Sequence, residues 1–275
     1  MLQSCKGLAD CHTHTCYSFD SEADPAEMLA RADELELFAY CVTDHCEMNS
    51  TDLASLERDM KASVRAVKQL RSSRFQDSAT HFLTGLELGQ GLQNRTEAER
   101  FLREIPVDFV IGSLHNLAGE EDFYYLSYTE ETAAAYLERY FDELLEMAEW
   151  GGFDSLGHLT YPLRYITGIY RIRPDMTRYR YKVDAVLSAL AKGDRALEVN
   201  TSGLRNEIGE TLPTMEYLVR FRELGGKHIT IGSDAHEAQH VGAGLEQAAK
   251  MIKKAGFPGI TCYIGHKPFL IPFDK

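Results

Sequence analysis

The sequence contains no apolar run of about 18 residues, the minimum for a membrane-spanning helix. Residues 1–14 also lack the apolar stretch of a secretory signal peptide, so we expect a cytoplasmic protein. Basic residues form no run either, and 29 lysines and arginines against 42 aspartates and glutamates give a net charge of −13. Because the apolar run is missing, we expect no membrane partner. Because a surface this acidic repels nucleic acid, we expect no nucleic-acid polymer as a partner. Nothing in the sequence predicts the oligomeric state.

None of the six cysteines belongs to a CxxC pair, and no predicted strand is followed by the glycine-rich fingerprint of a dinucleotide-binding fold. In a cytosolic protein we expect the cysteines to be free thiols. Four of them lie close in the sequence to histidines that are candidate metal ligands. These cysteines either pack as small apolar side chains or supply a thiolate to a metal. These are Cys11, Cys16, Cys41 and Cys46.

Short apolar runs alternate with longer helical patterns along the 275 residues. Repeated strand-then-helix units predict parallel strands with helices outside them. Since seven or eight such units follow one another without a linker, we predict one domain over residues 1–275, closed into a TIM-like α/β barrel. An open, doubly wound sheet is the alternative. The predicted strands are 7–14, 38–45, 81–88, 108–115, 153–158, 196–201 and 228–234, with a last short one near 261–264.

Caps and apolar spacing predict the helices. Asp24 followed by Pro25 is typical of a helix start, because Asp caps the first turn and Pro fits its first position. Thr129, followed by two glutamates, indicates a second start. Apolar stripes at helical spacing predict further helices over 53–70, 215–224 and 245–255.

Residue types that bind metals stand where the predicted strands end, which is the edge at which active sites assemble in parallel α/β folds. His12 and His14 are two residues apart, so in a strand both side chains point to the same side. Asp234 and His236 repeat this spacing on a later strand. The full set at these ends is His12, His14, His45, Glu87, His115, His158, Asp234 and His236.

A single histidine at a strand end more often makes an ordinary hydrogen bond than binds a metal. The joint pattern favours a metal, because burying so many titratable groups in one mouth is costly without a cation. Imidazole and carboxylate donors together suit zinc, manganese or iron better than magnesium or calcium. We therefore predict two or three divalent transition-metal ions. His81 and His228 begin their strands, so they should lie on the opposite face.

At this point the sequence resembles the PHP family, named for polymerases and histidinol phosphatases. Four segments look like its motifs in order: DCHTH at 10–14, TDH at 43–45, GSLH at 112–115 and SDAH at 233–236. The resemblance covers nearly the whole chain and implies a distorted (β/α)7 barrel with a trinuclear metal site.

The resemblance also implies a role for each ligand. Some family members have His where this chain has Asp20, which keeps a usable ligand but changes its charge; the alternative role for Asp20 is a helix cap. Asp44 looks like a residue that orients a ligand histidine. The implied sets are His12, His14, Glu87 and Asp234 for the first ion, Glu87, His115 and His158 for the second, and Asp20, His45 and His236 for the third.

Within the family, the chain looks most like the monofunctional histidinol phosphatases, on segments 112–116, 198–205 and 233–242. This implies hydrolysis of L-histidinol phosphate to L-histidinol and phosphate, by a hydroxide that bridges two metals, in histidine biosynthesis. Arginine matches phosphate geometry, so Arg164 and Arg205 are expected to bind the substrate phosphate from loops over the mouth. Asn200 and Glu121 are the other predicted substrate contacts.

The 119–125 segment that holds Glu121 is acidic and aromatic, and it is either a lid over the mouth or a solvated turn. Three other functions stay open from the sequence. The chain could act on another small phosphate ester or nucleotide, it could be a protein-tyrosine phosphatase of the same broad family, or it could be a metal-free domain that only binds partners.

Overall fold

The computed structural model describes residues 5–273, and parallel strands form its core. The strands are β1 (Ala9–Asp10), β2 (Ala39–Val42), β3 (His45–Glu47), β4 (His81–Gly89), β5 (Phe109–Ser113), β6 (Ser155–Leu156), β7 (Ala196–Asn200) and β8 (Ile229–Gly232). They are ordered β1-β2-β4-β5-β6-β7-β8, with β3 pairing with β4 as β2 does. Because β3 continues the position of β2, the wall has seven strand positions, and His45 lies opposite Glu87 in register.

The two ends of this wall meet. Backbone N–H groups of Cys11 and Asp234 donate to the carbonyls of Ile231 and His12, both at 2.8 Å, which joins the segment after β1 to β8 and to the segment that follows β8. The predicted distorted (β/α)7 TIM-like barrel is therefore confirmed, and the open-sheet alternative is wrong.

Helices cover the outside of the barrel. The start predicted at Asp24 is confirmed, since its carboxylate accepts a hydrogen bond from the N–H of Ala26 at 2.7 Å. Thr129 caps its helix through reciprocal bonds with Thr132. The helices are α1 (Pro25–Glu34), α2 (Leu53–Ser72), α3 (Arg95–Glu104), α4 (Glu130–Trp150), α5 (Leu163–Ile166), α6 (Arg180–Lys192), α7 (Met215–Glu223) and α8 (Leu245–Ala255).

Some elements differ from the prediction. The strand expected over 38–45 is interrupted at Thr43 and Asp44, because both side chains turn into hydrogen bonds with the segment after β1. Helices α3, α5 and α6 were not predicted, although Val183, Val186 and Leu190 in α6 have helical spacing and are buried. None of the helices within residues 5–273 is long and apolar enough to cross a membrane.

A hairpin lies at the barrel end opposite the predicted ligands. It consists of β9 (Gly259–Ile264) and β10 (Lys267–Pro272), of which only part of β9 was predicted. The turn of the hairpin is held by His266, whose N–H donates to Asp108 O at 2.8 Å and whose Nδ1 lies 2.9 Å from Asp154 Oδ2. Asp108 and Asp154 directly precede β5 and β6, so the hairpin marks the N-terminal face. His81 and His228, at the starts of β4 and β8, lie on the same face, as predicted.

Candidate metal centre

Glu87 stands at the centre of the C-terminal face, and its side chain is 1% exposed. Its Oε1 lies 2.9 Å from His158 Nε2, 3.2 Å from His115 Nε2 and 3.3 Å from His12 Nε2. Ser113 Oγ donates to the same oxygen at 2.7 Å. The ends of β4 and β5 and the segments that follow β1 and β6 thus bring one carboxylate oxygen within reach of three imidazoles.

The second oxygen of Glu87 faces another group of ligands. Its Oε2 lies 2.8 Å from His45 Nδ1 and 3.6 Å from His14 Nε2. His14 Nε2 is also 3.4 Å from Asp234 Oδ1, and His12 Nε2 is 3.8 Å from the same oxygen. Glu87 therefore lies between neighbouring sets of donors, and its role as a bridge between two ions remains a prediction.

Asp20 lies between His45 and His236. Its Oδ2 is 3.1 Å from His236 Nε2 and 3.5 Å from His45 Nε2. The helix that follows is capped by Asp24, so Asp20 is not its cap. All residues predicted as ligands of the third ion are therefore adjacent, although their binding of an ion remains a prediction.

The donors fit metal ions better than they fit one another. His12 Nε2, His14 Nε2 and Glu87 Oε2 are buried and have no hydrogen-bond partner among the described residues. Leaving such atoms unpaired is costly, and a cation among them removes the cost. Three groups of donors have their atoms within 4.8 Å of one another. These are His14, His45 and His236; His12, His14 and Glu87; and His45, Glu87 and His115.

Burial and the surrounding charges set different pKa values for two ligands. Burial, together with His236 and His45, lowers the pKa of His14 to about 3, so this ring is neutral at pH 7 and keeps a lone pair for a metal. Burial also disfavours a charged His115, but Glu87 and Glu47 outweigh it and raise the pKa of His115 to about 10.

Other side chains hold the ligands in place. Glu198 lies with Oε1 2.7 Å from His12 Nδ1, and its Oε2 accepts from the N–H of His158 at 2.8 Å. Asp44 does not touch a ligand histidine directly. It accepts a hydrogen bond from Ser18 Oγ at 2.8 Å, and Ser18 Oγ lies 3.1 Å from His14 Nδ1.

The predicted substrate residues divide into two groups. Arg164, at the start of α5, lines the cavity over the metal ligands, and its Nη2 lies 3.1 Å from Asp234 Oδ2. Its Nε is buried without a partner among the described residues, and its guanidinium lies over the ring of Tyr161. Glu121 is exposed and lines the same cavity. Both could therefore reach a substrate.

Arg205 and Asn200 lie elsewhere than expected. Arg205 does not line the cavity, because its Nη2 is engaged by the carbonyls of Ser233 and Asp234 at 2.8 and 3.2 Å. Asn200 is fully buried, donates to Asp234 Oδ2 at 3.3 Å and accepts from Ser202. Both contact the segment that carries Asp234, and their contact with substrate remains a prediction.

The cavity over the ligands has a volume of about 570 Å³. One of its walls is the 119–125 segment. Phe123 of this segment is buried in the core and anchors the wall, while Tyr124 and Tyr125 are exposed. Asp122 accepts from Tyr161 Oη at 3.2 Å, so the wall is tied to the segment that follows β6.

Sequence reasoning did not single out Glu47, Ser113 or Tyr161, all of which lie in or against the cluster. Glu47 follows His45 by two residues on β3, so the alternation that pairs His12 with His14 was a signal for it. The cysteines are free, and no cysteine belongs to a group of possible metal donors in the described part of the chain.

The chain matches known proteins over most of its length. A family model described as the PHP domain matches residues 10–202. The histidinol-phosphatase of Lactococcus lactis subsp. lactis is 30% identical over 264 residues, which is 94% of this chain and 95% of that protein. A probable histidinol-phosphatase of Thermotoga maritima is 27% identical over 91% of this chain and 93% of its own length.

A solved structure extends this similarity to the fold. The crystal structure of histidinol phosphate phosphatase from Lactococcus lactis, in complex with zinc, L-histidinol and phosphate, superposes with a TM-score of 0.77 at 28% identity. It covers 95% of this chain and 98% of that chain. A putative histidinol phosphatase from Listeria monocytogenes, at 19% identity and a TM-score of 0.71, supports the fold alone.

Proposed function

Because the chain belongs to the PHP domain family, we propose that it is a metal-dependent phosphomonoesterase that hydrolyses L-histidinol phosphate to L-histidinol and phosphate. The observation that carries the proposal is the convergence of the predicted ligands on Glu87 at the floor of one cavity, with Arg164 beside them. The relative from Lactococcus, whose chain is matched over 98% of its length, was crystallised with zinc, L-histidinol and phosphate.

The metal ions are zinc, manganese or iron, held by the residues that surround Glu87. When bound, such ions supply Lewis acidity, which neutralises phosphate oxygens and favours ionisation of a water molecule near pH 7. One ion would be held by His12, His14, Glu87 and Asp234. A second would be held by Glu87, His115 and His158, so that both ions share Glu87. The third would be held by Asp20, His45 and His236.

Arg164 provides the cationic contact for the phosphate in this proposal. It is the arginine that lines the cavity, its Nε has no partner among the described residues, and Asp234 and Ser202 fix its Nη2. A fixed guanidinium offers donors in the planar geometry that phosphate oxygens accept.

The wall of the cavity formed by the 119–125 segment suits the leaving group. L-Histidinol carries an ammonium and an imidazole, which both donate hydrogen bonds, and Glu121 and Asp122 line that wall with carboxylates. Burial raises the pKa of Asp122, while nearby His115 and hydrogen bonds from Tyr161 Oη and the N–H of Tyr124 act in the other direction. A cationic leaving group would pair with these carboxylates, whereas a sugar or an anionic nucleotide would not.

The test is a comparison of kcat/KM values for L-histidinol phosphate, phosphotyrosine, simple sugar phosphates and small nucleotides, with purified metal-loaded protein. We expect histidinol phosphate to be hydrolysed at least tenfold more efficiently than the others. A rival substrate that exceeds it tenfold overturns the substrate while leaving metal-dependent ester hydrolysis in place. The proposal includes a place in histidine biosynthesis in the cytoplasm, which complementation of a histidinol-phosphatase-deficient strain and cell fractionation test.

A further inference from the structure

One carboxylate contacts predicted ligands of two different ions. Glu47 Oε1 lies 3.0 Å from His45 Nδ1 and 3.0 Å from His115 Nδ1. Its side chain is 13% exposed, and no lysine or arginine pairs with it among the described residues. A single oxygen atom thus accepts from imidazoles on β3 and after β5.

The opposite nitrogens of these two rings face separate groups of donors. His115 Nε2 lies 3.2 Å from Glu87 Oε1 and 3.3 Å from His158 Nε2. His45 Nε2 lies 3.5 Å from Asp20 Oδ2. His115 Nε2 therefore faces the donors of the proposed second ion, and His45 Nε2 faces those of the third.

We infer that Glu47 is a positioning residue that fixes the tautomer of both His45 and His115 and thereby couples the binding of the second and third ions. An imidazole that donates Nδ1–H to a carboxylate keeps the lone pair on Nε2 for a metal, and its ring orientation is fixed. His45 Nδ1 also lies 2.8 Å from Glu87 Oε2, but only the contact with Glu47 has hydrogen-bond geometry.

The sequence leaves room for this carboxylate at one glycine. A Cβ built on Gly89 would overlap the carboxylate of Glu47, since it would meet both oxygens and Cδ. Gly89 pairs with Glu47 in the β3–β4 register and does not have a positive φ, so alanine fits its backbone. Gly89→Ala therefore displaces the carboxylate without removing its charge.

The inference rests on the proposed ligand sets, and zinc binding to chelated protein tests it. Equilibrium dialysis against buffered Zn²⁺ gives the number of ions and their affinities, and anomalous difference maps at a fixed zinc concentration identify the ions that weaken. Glu47→Gln and Gly89→Ala should each lower the zinc affinities of the second and third sites together by roughly 10- to 100-fold and leave the affinity of the first site unchanged. Glu143→Gln is the matched control, because Glu143 is a half-buried carboxylate that accepts from the N–H of Ala118 and contacts no histidine.

Each result decides the matter. The inference is supported if both variants bind the second and third ions more weakly, the control binds zinc as the wild type does, and the melting temperatures of the metal-free proteins are unchanged. Wild-type affinities in Glu47→Gln, weakening of a single ion, or equal loss of all ions with a lower metal-free melting temperature overturns it while leaving the proposed function intact. A wild-type protein that binds no zinc overturns both.

Discussion

Asp20 and His236 are 216 residues apart in the chain, yet Oδ2 of Asp20 lies 3.1 Å from Nε2 of His236. The contact crosses the seam of the barrel, where the segments after β1 and β8 meet. It places a carboxylate at the exposed rim of a cluster whose other carboxylates, Glu87 and Asp234, are buried.

We predict that Asp20→Ala lowers the metal content by up to one equivalent and sharply reduces turnover, because the third ion loses its only predicted carboxylate. Elemental analysis and kcat measured on the same preparation check this. Asp24→Ala is the control, since Asp24 caps α1 a few residues away and touches no histidine. Wild-type metal content and turnover in Asp20→Ala would mean that Asp20 is not a ligand.

Removal of the metals should abolish activity and lower the unfolding temperature. The ions bind the native cluster and not the unfolded chain, so their loss withdraws binding free energy from the native state. Protein purified without chelator should carry at least two equivalents of transition metal by elemental analysis. A protein that carries none, and that stays active after exhaustive chelation, contradicts the metal-dependent mechanism.

Arg164→Ala should raise KM for phosphomonoesters while leaving the metal content intact. The loss of a hydrogen bond to a charged group costs about 1.5–3 kcal/mol, which is roughly ten- to a hundredfold in kcat/KM. Arg171→Ala is the matched control, because Arg171 follows α5 on the surface and pairs with Glu207. Unchanged kinetics in Arg164→Ala would place this side chain outside the substrate site.

The sequence predicts the same increase in KM for Arg205→Ala, whereas the structure gives this side chain a different task. Its hydrogen bonds to the carbonyls of Ser233 and Asp234 brace the turn at Asp234, which has a positive φ of 53°. From these contacts we expect Arg205→Ala to lower the metal content along with activity. Kinetics and elemental analysis of one preparation separate the two roles, since a phosphate contact raises KM at constant metal content.

The part of the site that the sequence could predict is the set of ligand-type residues at the C-terminal ends of the strands. His12 with His14 and Asp234 with His236 stand out by their spacing of two, although the structure places all four just beyond the ends of β1 and β8. That Glu47 Oε1 reaches both His45 and His115 depends on the distance between two strands, which a single sequence does not contain. The same holds for Arg205, whose direction is set by a turn on another strand.

The fold shows the same division. Closure of the barrel follows from repeated units, but the break between β2 and β3 depends on long-range hydrogen bonds. Thr43 and Asp44 leave the strand because their side chains bond to Thr13 and Thr15 on the neighbouring wall position. The omission of helix α6 does not depend on long-range contacts, because its apolar spacing was present in the sequence and could have been recognised.

Asp44 is the centre of a buried hydrogen-bond network, and its replacement should affect both stability and metal binding. Its carboxylate accepts from the N–H of Thr15 at 2.6 Å, from Thr15 Oγ1 at 2.9 Å and from Ser18 Oγ at 2.8 Å, and Ser63 Oγ of α2 also donates to it. Asp44→Ala leaves these donors without an acceptor. Because each buried unsatisfied group costs about 1–3 kcal/mol, we expect the free energy of unfolding to fall by at least about 2 kcal/mol.

The link to the metals runs through Ser18, which contacts both Asp44 and His14. Asp44→Ala should therefore also weaken the ion that His14 holds, measured as zinc content after dialysis at a fixed free zinc concentration. Ser63→Ala separates the two effects, since it removes one hydrogen bond to Asp44 from the α2 side and leaves Ser18 in place. We expect Ser63→Ala to lower the free energy of unfolding by about 1–3 kcal/mol and to keep wild-type zinc content. If Asp44→Ala also keeps its zinc, Asp44 stabilises the fold and does not orient His14.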